Sequence, residues 1–201
     1  MLRSEDAQVK VGDYVYGIFR AYPSPAVSHA LTSPAAFMQY FVRPSLAGFL
    51  VLENKEGLPW PAYLGVMGMP GQTAYCAWKE YAHVQPGDVV FVTSAAGPVG
   101  SFVVQLAKAD GCKVIASAGS DAKCDFVKSI GADVVFNYKK QKTADVLARE
   151  GPINIFWDNV GGESLEAALQ HAATGARFIV RRAPVRVLSE QNLTVECRSP
   201  A

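Results

Sequence analysis

From Asp88 onward, apolar and polar positions fall into two alternating kinds of block. Val89-Val90-Phe91-Val92-Thr93 is an apolar, β-branched run too short for a helix, and it predicts a buried parallel strand. Pro98 to Asp110 sets Val99, Phe102, Val103, Leu106 and Ala107 at helical spacing, with Pro98 tolerated in the first turn and Gly111 as the stop. The two patterns then repeat. Strands are predicted over 113–117, 133–136, 153–157 and 176–180. Helices are predicted over 121–130 (capped by Asp121 and ended by Gly131), 143–150 and 163–172. Five strands alternating with four helices imply a doubly wound α/β domain, its parallel sheet covered on both faces and its ligands at the carboxyl ends of the strands.

Upstream the pattern changes, because seven of the 12 prolines lie in the first 70 residues. Val9 to Gly17 and Gln39 to Val42 read as pieces of β structure, separated by a Pro/Ser/Ala-rich loop over 22–36. Leu64 to Val84 carries Met69, Thr73, Ala77 and Tyr81 at helical spacing and predicts a helical connection into the sheet. The chain therefore divides into a β-rich region over 1–84, a Rossmann-type domain over 85–180 and a tail over 181–201.

Composition narrows the function. Nineteen Lys and Arg against 18 Asp and Glu, with no basic run, give no electrostatic footprint for a nucleic-acid backbone. Three uncharged stretches (21–42, 57–78 and 89–107) are long enough to test as membrane spans, but each is interrupted by Pro or Gly. No secretory signal pattern is present. Cys76, Cys112, Cys124 and Cys197 are scattered without a C-x-x-C pair, and His29, His83 and His171 stand near none of them at ligand spacing. The expectation is a metal-free protein of a reducing, cytoplasmic compartment. His83, before the Pro86-Gly87-Asp88 turn, reads as a helix-end residue.

The chemistry concentrates in Ala95-Ala96-Gly97-Pro98-Val99-Gly100, the dinucleotide fingerprint with alanine in place of its first glycine, set between a predicted strand and helix. Gly97 lets backbone approach a pyrophosphate, Gly100 lets the helix pack close to the strand, and the helix N-terminus offers free N–H groups to the anion. An NAD site usually carries an acid at the end of the second strand for the ribose 2′-OH. Here that place holds Ser117-Ala118-Gly119-Ser120, with Lys123 shortly after, so NADP is the better physical match.

Leu64 to Tyr75, Ala95 to Ser101, Gly119-Ser120-Asp121-Ala122-Lys123, Phe136-Asn137-Tyr138 and Trp157-Asp158-Asn159-Val160-Gly161-Gly162 come in an order and spacing that resemble the zinc-independent medium-chain reductases. Within that superfamily the chain resembles the prostaglandin reductase and alkenal double-bond reductase family. The resemblance implies a partial GroES-like substrate domain ahead of the Rossmann-type sheet and a strand order 3-2-1-4-5. It implies NADP bound by Gly97, Pro98, Val99, Gly100, Lys123, Tyr138 and Asn159, with Met69 and Thr73 near the nicotinamide. The implied reaction is hydride transfer from NADPH to the β-carbon of an enal or enone, with protonation at the neighbouring carbon and no residue assigned to catalysis. It also implies a family homodimer. Measured against the family pattern, early strands of the substrate domain and a sixth sheet strand have no counterpart, and the 181–201 segment carries four arginines and no glycine. The expectation is therefore a partial chain with impaired reductase activity. The alternatives are a silent NADP-binding fragment or a quinone oxidoreductase of the same superfamily.

Overall fold

The structure, a computed structural model, describes residues 9–17 and 49–180. The predicted strand over 39–42, the loop over 22–36 and the tail over 181–201 lie outside the described residues. Two compact units divide between Leu58 and Pro59. In the first, β1 (Val15–Gly17) pairs antiparallel with β2 (Phe49–Val51), Tyr16 opposite Leu50. The expected strand over 9–17 is thus confined to its last three residues. Its start is a turn closed by the Asp13 N–H on the Lys10 carbonyl, with Gly12 at φ 97° where a side chain would be strained.

The second unit begins with the short helix α1 (Pro61–Leu64) and continues into α2 (Met69–Tyr81). The connection predicted as one helix over 64–84 is therefore broken. Between the two helices the chain folds back so tightly that a Cβ on Gly71 would meet the Val66 carbonyl oxygen at 1.9 Å, and one on Gly68 the Tyr63 carbonyl oxygen at 2.6 Å. The alternating pattern then follows as β3 (Val89–Val92), α3 (Pro98–Ala109), β4 (Lys113–Ala118), α4 (Asp121–Ser129) and β5 (Val134–Asn137). It ends with α5 (Thr143–Glu150), β6 (Ile153–Asp158), α6 (Glu163–Gln170) and β7 (Ala172–Val180).

All four pairings in this sheet are parallel, in the order β5-β4-β3-β6-β7. Counted from β3, that is the order 3-2-1-4-5, with the first strand in the centre. Successive strand residues serve opposite faces. Val90 and Val92 join one core with Trp78 of α2 and Val99, Val103, Val104 and Ala107 of α3. Phe91 joins another with Leu147 of α5 and Ala167 and Ala168 of α6.

Two boundaries differ from expectation. The N-cap of α4 is Ser120, not Asp121, because the Ser120 hydroxyl accepts the Lys123 N–H while Asp121 already has its place in the first helical turn. The last strand starts at Ala172 rather than 176, and α6 correspondingly stops at Gln170. The reason is a bulge: Ile153 pairs with Ala172 and Ile155 with Arg177, and the surplus residues are taken up where Gly175 adopts φ 76°. Arg177, just past it, pairs with Asp88 ahead of β3 and donates to the His83 carbonyl (3.1 Å), tying the end of α2 to the sheet.

Candidate functional site

Four strand ends, those of β3, β4, β5 and β6, build the site. At the end of β3, the Ser94 residue turns the chain with φ 50°, and its carbonyl accepts the Gly97 N–H (2.9 Å). The Ala95 N–H donates to the Ser117 carbonyl of β4 (3.0 Å), which fixes this turn against the neighbouring strand. Gly97 is the N-cap of α3 and Pro98 its first residue, with no side chain capping the helix. The first intrahelical bond runs from the Ser101 N–H to the Gly97 carbonyl, so among the described residues the Val99 and Gly100 N–H groups have no protein acceptor. Gly100 is obligatory here. A Cβ on it would lie 2.5 Å from the Ser94 carbonyl oxygen and 2.8 Å from the Ala95 Cα, both backbone atoms that cannot yield.

At the end of β4, Gly119 lies under the ring of Tyr138, where a Cβ would come within 2.9 Å of the phenolic oxygen. The Tyr138 N–H donates to the Ala118 carbonyl (3.2 Å), and the ring is about half exposed, at 52%. Lys123 is exposed on the first turn of α4 and has no ion pair among the described residues. Of the two acids flanking it on α4, Asp121 and Asp125, the first is occupied: the Asp121 carboxylate accepts the Asn137 amide (2.9 Å) and the Lys140 ammonium. Those two partners, Lys140 first, hold the Asp121 carboxyl below its ordinary value.

At the end of β6, Asn159 is pinned rather than free. Its Nδ2 donates to the Thr93 carbonyl (2.8 Å), its Oδ1 accepts the Trp157 indole N–H (3.2 Å), and its backbone N–H donates to the Thr93 hydroxyl (2.8 Å). The ends of β3 and β6 are thereby stapled together, with one amide hydrogen of Asn159 left over. Asp158 is buried. Its Oδ1 accepts the Val160 and Gly161 N–H groups at 2.9 and 2.7 Å, while its Oδ2 is buried without a hydrogen-bond partner.

Thr73 of α2 lines a cavity of about 690 Å³ together with Tyr81, Trp157, Phe178 and Val180, and its hydroxyl donates back to the Met69 carbonyl (2.7 Å). Met69 is exposed at the start of the same helix. His83 stands past the end of α2 at φ 41°, away from these strand ends, and its carbonyl serves Arg177. Among the described residues no group of three or more His, Cys, Asp or Glu could hold a metal, and no helix is long and apolar enough to cross a membrane.

A family model described as zinc-binding dehydrogenase matches residues 98–183. The chain is 37% identical over 183 residues to the NADP-dependent oxidoreductase RED1 of Cochliobolus heterostrophus, a match covering 90% of this chain and 48% of that protein. It is 35% identical over 184 residues to the NADP(+)-dependent 2-alkenal reductase of Nicotiana tabacum, covering 90% of this chain and 49% of that one. The crystal structure of CurA from Vibrio vulnificus in complex with NADPH matches with a TM-score of 0.59 and 39% identity, over 66% of this chain and 40% of its own. The chain belongs to the zinc-independent medium-chain reductase family. It spans about half the length of the curated relatives it matches.

Against that family pattern, the glycine turn, Lys123, Tyr138 and Asn159 stand at the carboxyl ends of three adjacent strands, β3, β4 and β6, and of β5 beyond β4. Sequence reasoning missed the residues that hold them. Thr93 and Trp157 fix Asn159, and Lys140 with Asn137 occupies Asp121. A polar residue ending a buried apolar run, as Thr93 ends 89–93, was the signal available for the first pair. No local pattern announces the second, because residues 121 and 140 meet only through the pairing of β4 with β5.

Proposed function

We propose that this chain binds NADPH across the carboxyl ends of β3, β4 and β6, and that it belongs to an enzyme reducing the C=C bond of α,β-unsaturated aldehydes or ketones. The observation that carries the first part is the α3 N-terminus. Two N–H groups without protein acceptors and the positive end of the helix dipole lie where Gly100 keeps the turn close, an arrangement that suits a pyrophosphate. Lys123 supplies a cation for a 2′-phosphate, and Tyr138 offers its exposed ring beside it. Asn159 keeps one amide hydrogen for a ligand, and its two staples fix the direction in which that hydrogen is offered.

NADPH, when bound, supplies the hydride for the β-carbon of the substrate. The chain's own residues offer a surface for the substrate: Thr73, Trp157 and Val180, with Arg177, border an open, mostly apolar cleft. Relatives named for NADP dependence and for 2-alkenal reduction support the substrate class. The test is a paired titration. Lys123→Ala removes a charge-assisted contact of about 1.5–3 kcal/mol, so NADPH binding should weaken roughly ten- to a hundredfold while NADH binding stays nearly unchanged. Equal losses for the two cofactors would take Lys123 out of the 2′-phosphate site. For the reaction, NADPH oxidation by the full chain is measured with a medium-chain 2-alkenal, and no acceleration over NADPH alone would count against the substrate class.

A further inference from the structure

We infer that Lys140 is a specificity-determining residue for the 2′-phosphate, acting by neutralising Asp121 rather than by touching the cofactor. This rests on the proposed NADPH site. An acid after the second strand of such a sheet favours a free ribose 2′-OH and repels a phosphate there. The chain has an acid close to that place after all, since Asp121 opens α4 only two residues before Lys123. What distinguishes it is its partners. Asn137, the last residue of β5, donates to one carboxylate oxygen at 2.9 Å, and Lys140, three residues further on, pairs with the other.

Both partners come from the segment that presents Tyr138, so the residues flanking that ring also hold the acid. Asp121 and Lys123 are two apart on a helix and do not face each other, so Lys123 cannot neutralise Asp121 itself. Its ammonium is left available to an anion. Lys140 thus offsets the charge of Asp121, the acid two residues before Lys123 that stands nearest the end of β4. The Asp121–Lys140 pair is well exposed, with side-chain exposures of 64% and 63%, so removing either partner leaves the fold intact and changes mainly the local field.

The experiment is isothermal titration of the full chain with NADPH and with NADH, at low and at high salt, for the unaltered protein, Lys140→Met, Asp121→Asn and the double variant. Lys140→Met should weaken NADPH about three- to tenfold and leave NADH within about twofold. Asp121→Asn alone should bind NADPH at least as tightly as the unaltered chain. The double variant should return to within about twofold of it, and the Lys140→Met effect should shrink in high salt. A double variant as weak as Lys140→Met would overturn the inference, because Lys140 would then act on the phosphate directly. Equal loss of NADPH and NADH in Lys140→Met would overturn it too. If the unaltered chain binds neither cofactor, the proposed nucleotide site itself falls, an outcome distinct from a bound cofactor whose selectivity ignores Lys140.

Discussion

The two faces of the central sheet are filled differently. On the α2/α3 face the buried residues are mostly small: Ala74, Val90, Val92, Ala95, Val99, Val103, Ala107, Val114 and Ala116, with Trp78 and Trp157 as the large exceptions. On the α5/α6 face a row of rings crosses the sheet, Phe91 stacking on Phe136 at 6.2 Å and on Phe156 at 5.2 Å, and Phe156 meeting Phe178 edge-on at 5.4 Å. The difference follows from what each face must do. Small side chains and Gly100 let α3 approach β3 until its first turn lies against the backbone of the glycine turn at Ser94 and Ala95. The other face only has to be filled, and rings fill it with the largest apolar area per residue.

This separation predicts that stability and cofactor binding can be damaged independently. The largest effect on stability should come from Phe156→Ala, which empties a fully buried site at the centre of the ring row. A loss of about 3–5 kcal/mol in urea unfolding is expected, with NADPH affinity of the folded fraction unchanged. If affinity falls in step with stability, the two faces are one cooperative device and the comparison fails. Next comes Gly100→Ala. One methyl group against the Ser94 and Ala95 backbone should cost about 1–3 kcal/mol and weaken NADPH at least about tenfold, since the turn must open to admit it. The reverse outcome, a stability loss with full affinity, would mean that the close approach of α3 serves packing alone. Trp78→Phe should cost less, about 1–2 kcal/mol, by removing the indole N–H bond to Asp110 (2.8 Å) that holds α2 to the far end of α3. Its measurable signature is a shifted urea midpoint at constant slope.

What could be read from the sequence follows the same division. The apolar runs from Val89, Lys113, Asp133 and Ile153 gave the strands within a residue or so, because a buried parallel strand is continuous in its hydrophobicity. That same continuity hides which face each residue serves: in Val90-Phe91-Val92 only the structure separates the valines from the ring. The glycine turn was legible because its constraint is local. Strand β2 over 49–51, the bulge at Gly175, the Arg177–Asp88 tie and the Lys140–Asp121 pair were not, because each depends on partners far away in the chain. Lys123, Tyr138 and Asn159 came from the family resemblance, and each has an ordinary local reading as a solvated lysine, a strand-end aromatic or a turn residue. In Asn159 that ordinary reading is also present, since its side-chain Nδ2 and its backbone N–H, both donating to Thr93, staple the end of β3 to that of β6.

The smallest effect concerns how the α3 face is closed at the end away from the glycine turn. Asp133, ahead of β5, accepts the Val114 N–H (2.7 Å) and both of its oxygens meet the Lys108 ammonium of α3 at 2.9 Å. Burial pushes the carboxyl up, but the Val114 N–H and Lys108 together outweigh it, and its pKa lies below the ordinary value. A carboxyl depressed in the folded state contributes stability that is complete above the unfolded value of about 3.9 and disappears as pH falls through the folded one. Above about pH 5, then, Asp133→Asn should lower stability by a constant amount. With side chains 32% and 39% exposed, solvent screening limits the ionic part to about 0.5 kcal/mol. Below about pH 4 the variant and the unaltered chain should converge, as the unaltered protein loses what the variant never had. Urea unfolding at pH 7, 5, 4 and 3 measures the gap directly. A gap that widens toward low pH would show that the folded carboxyl titrates above the unfolded one, and that Lys108 does not hold this edge of the α3 face.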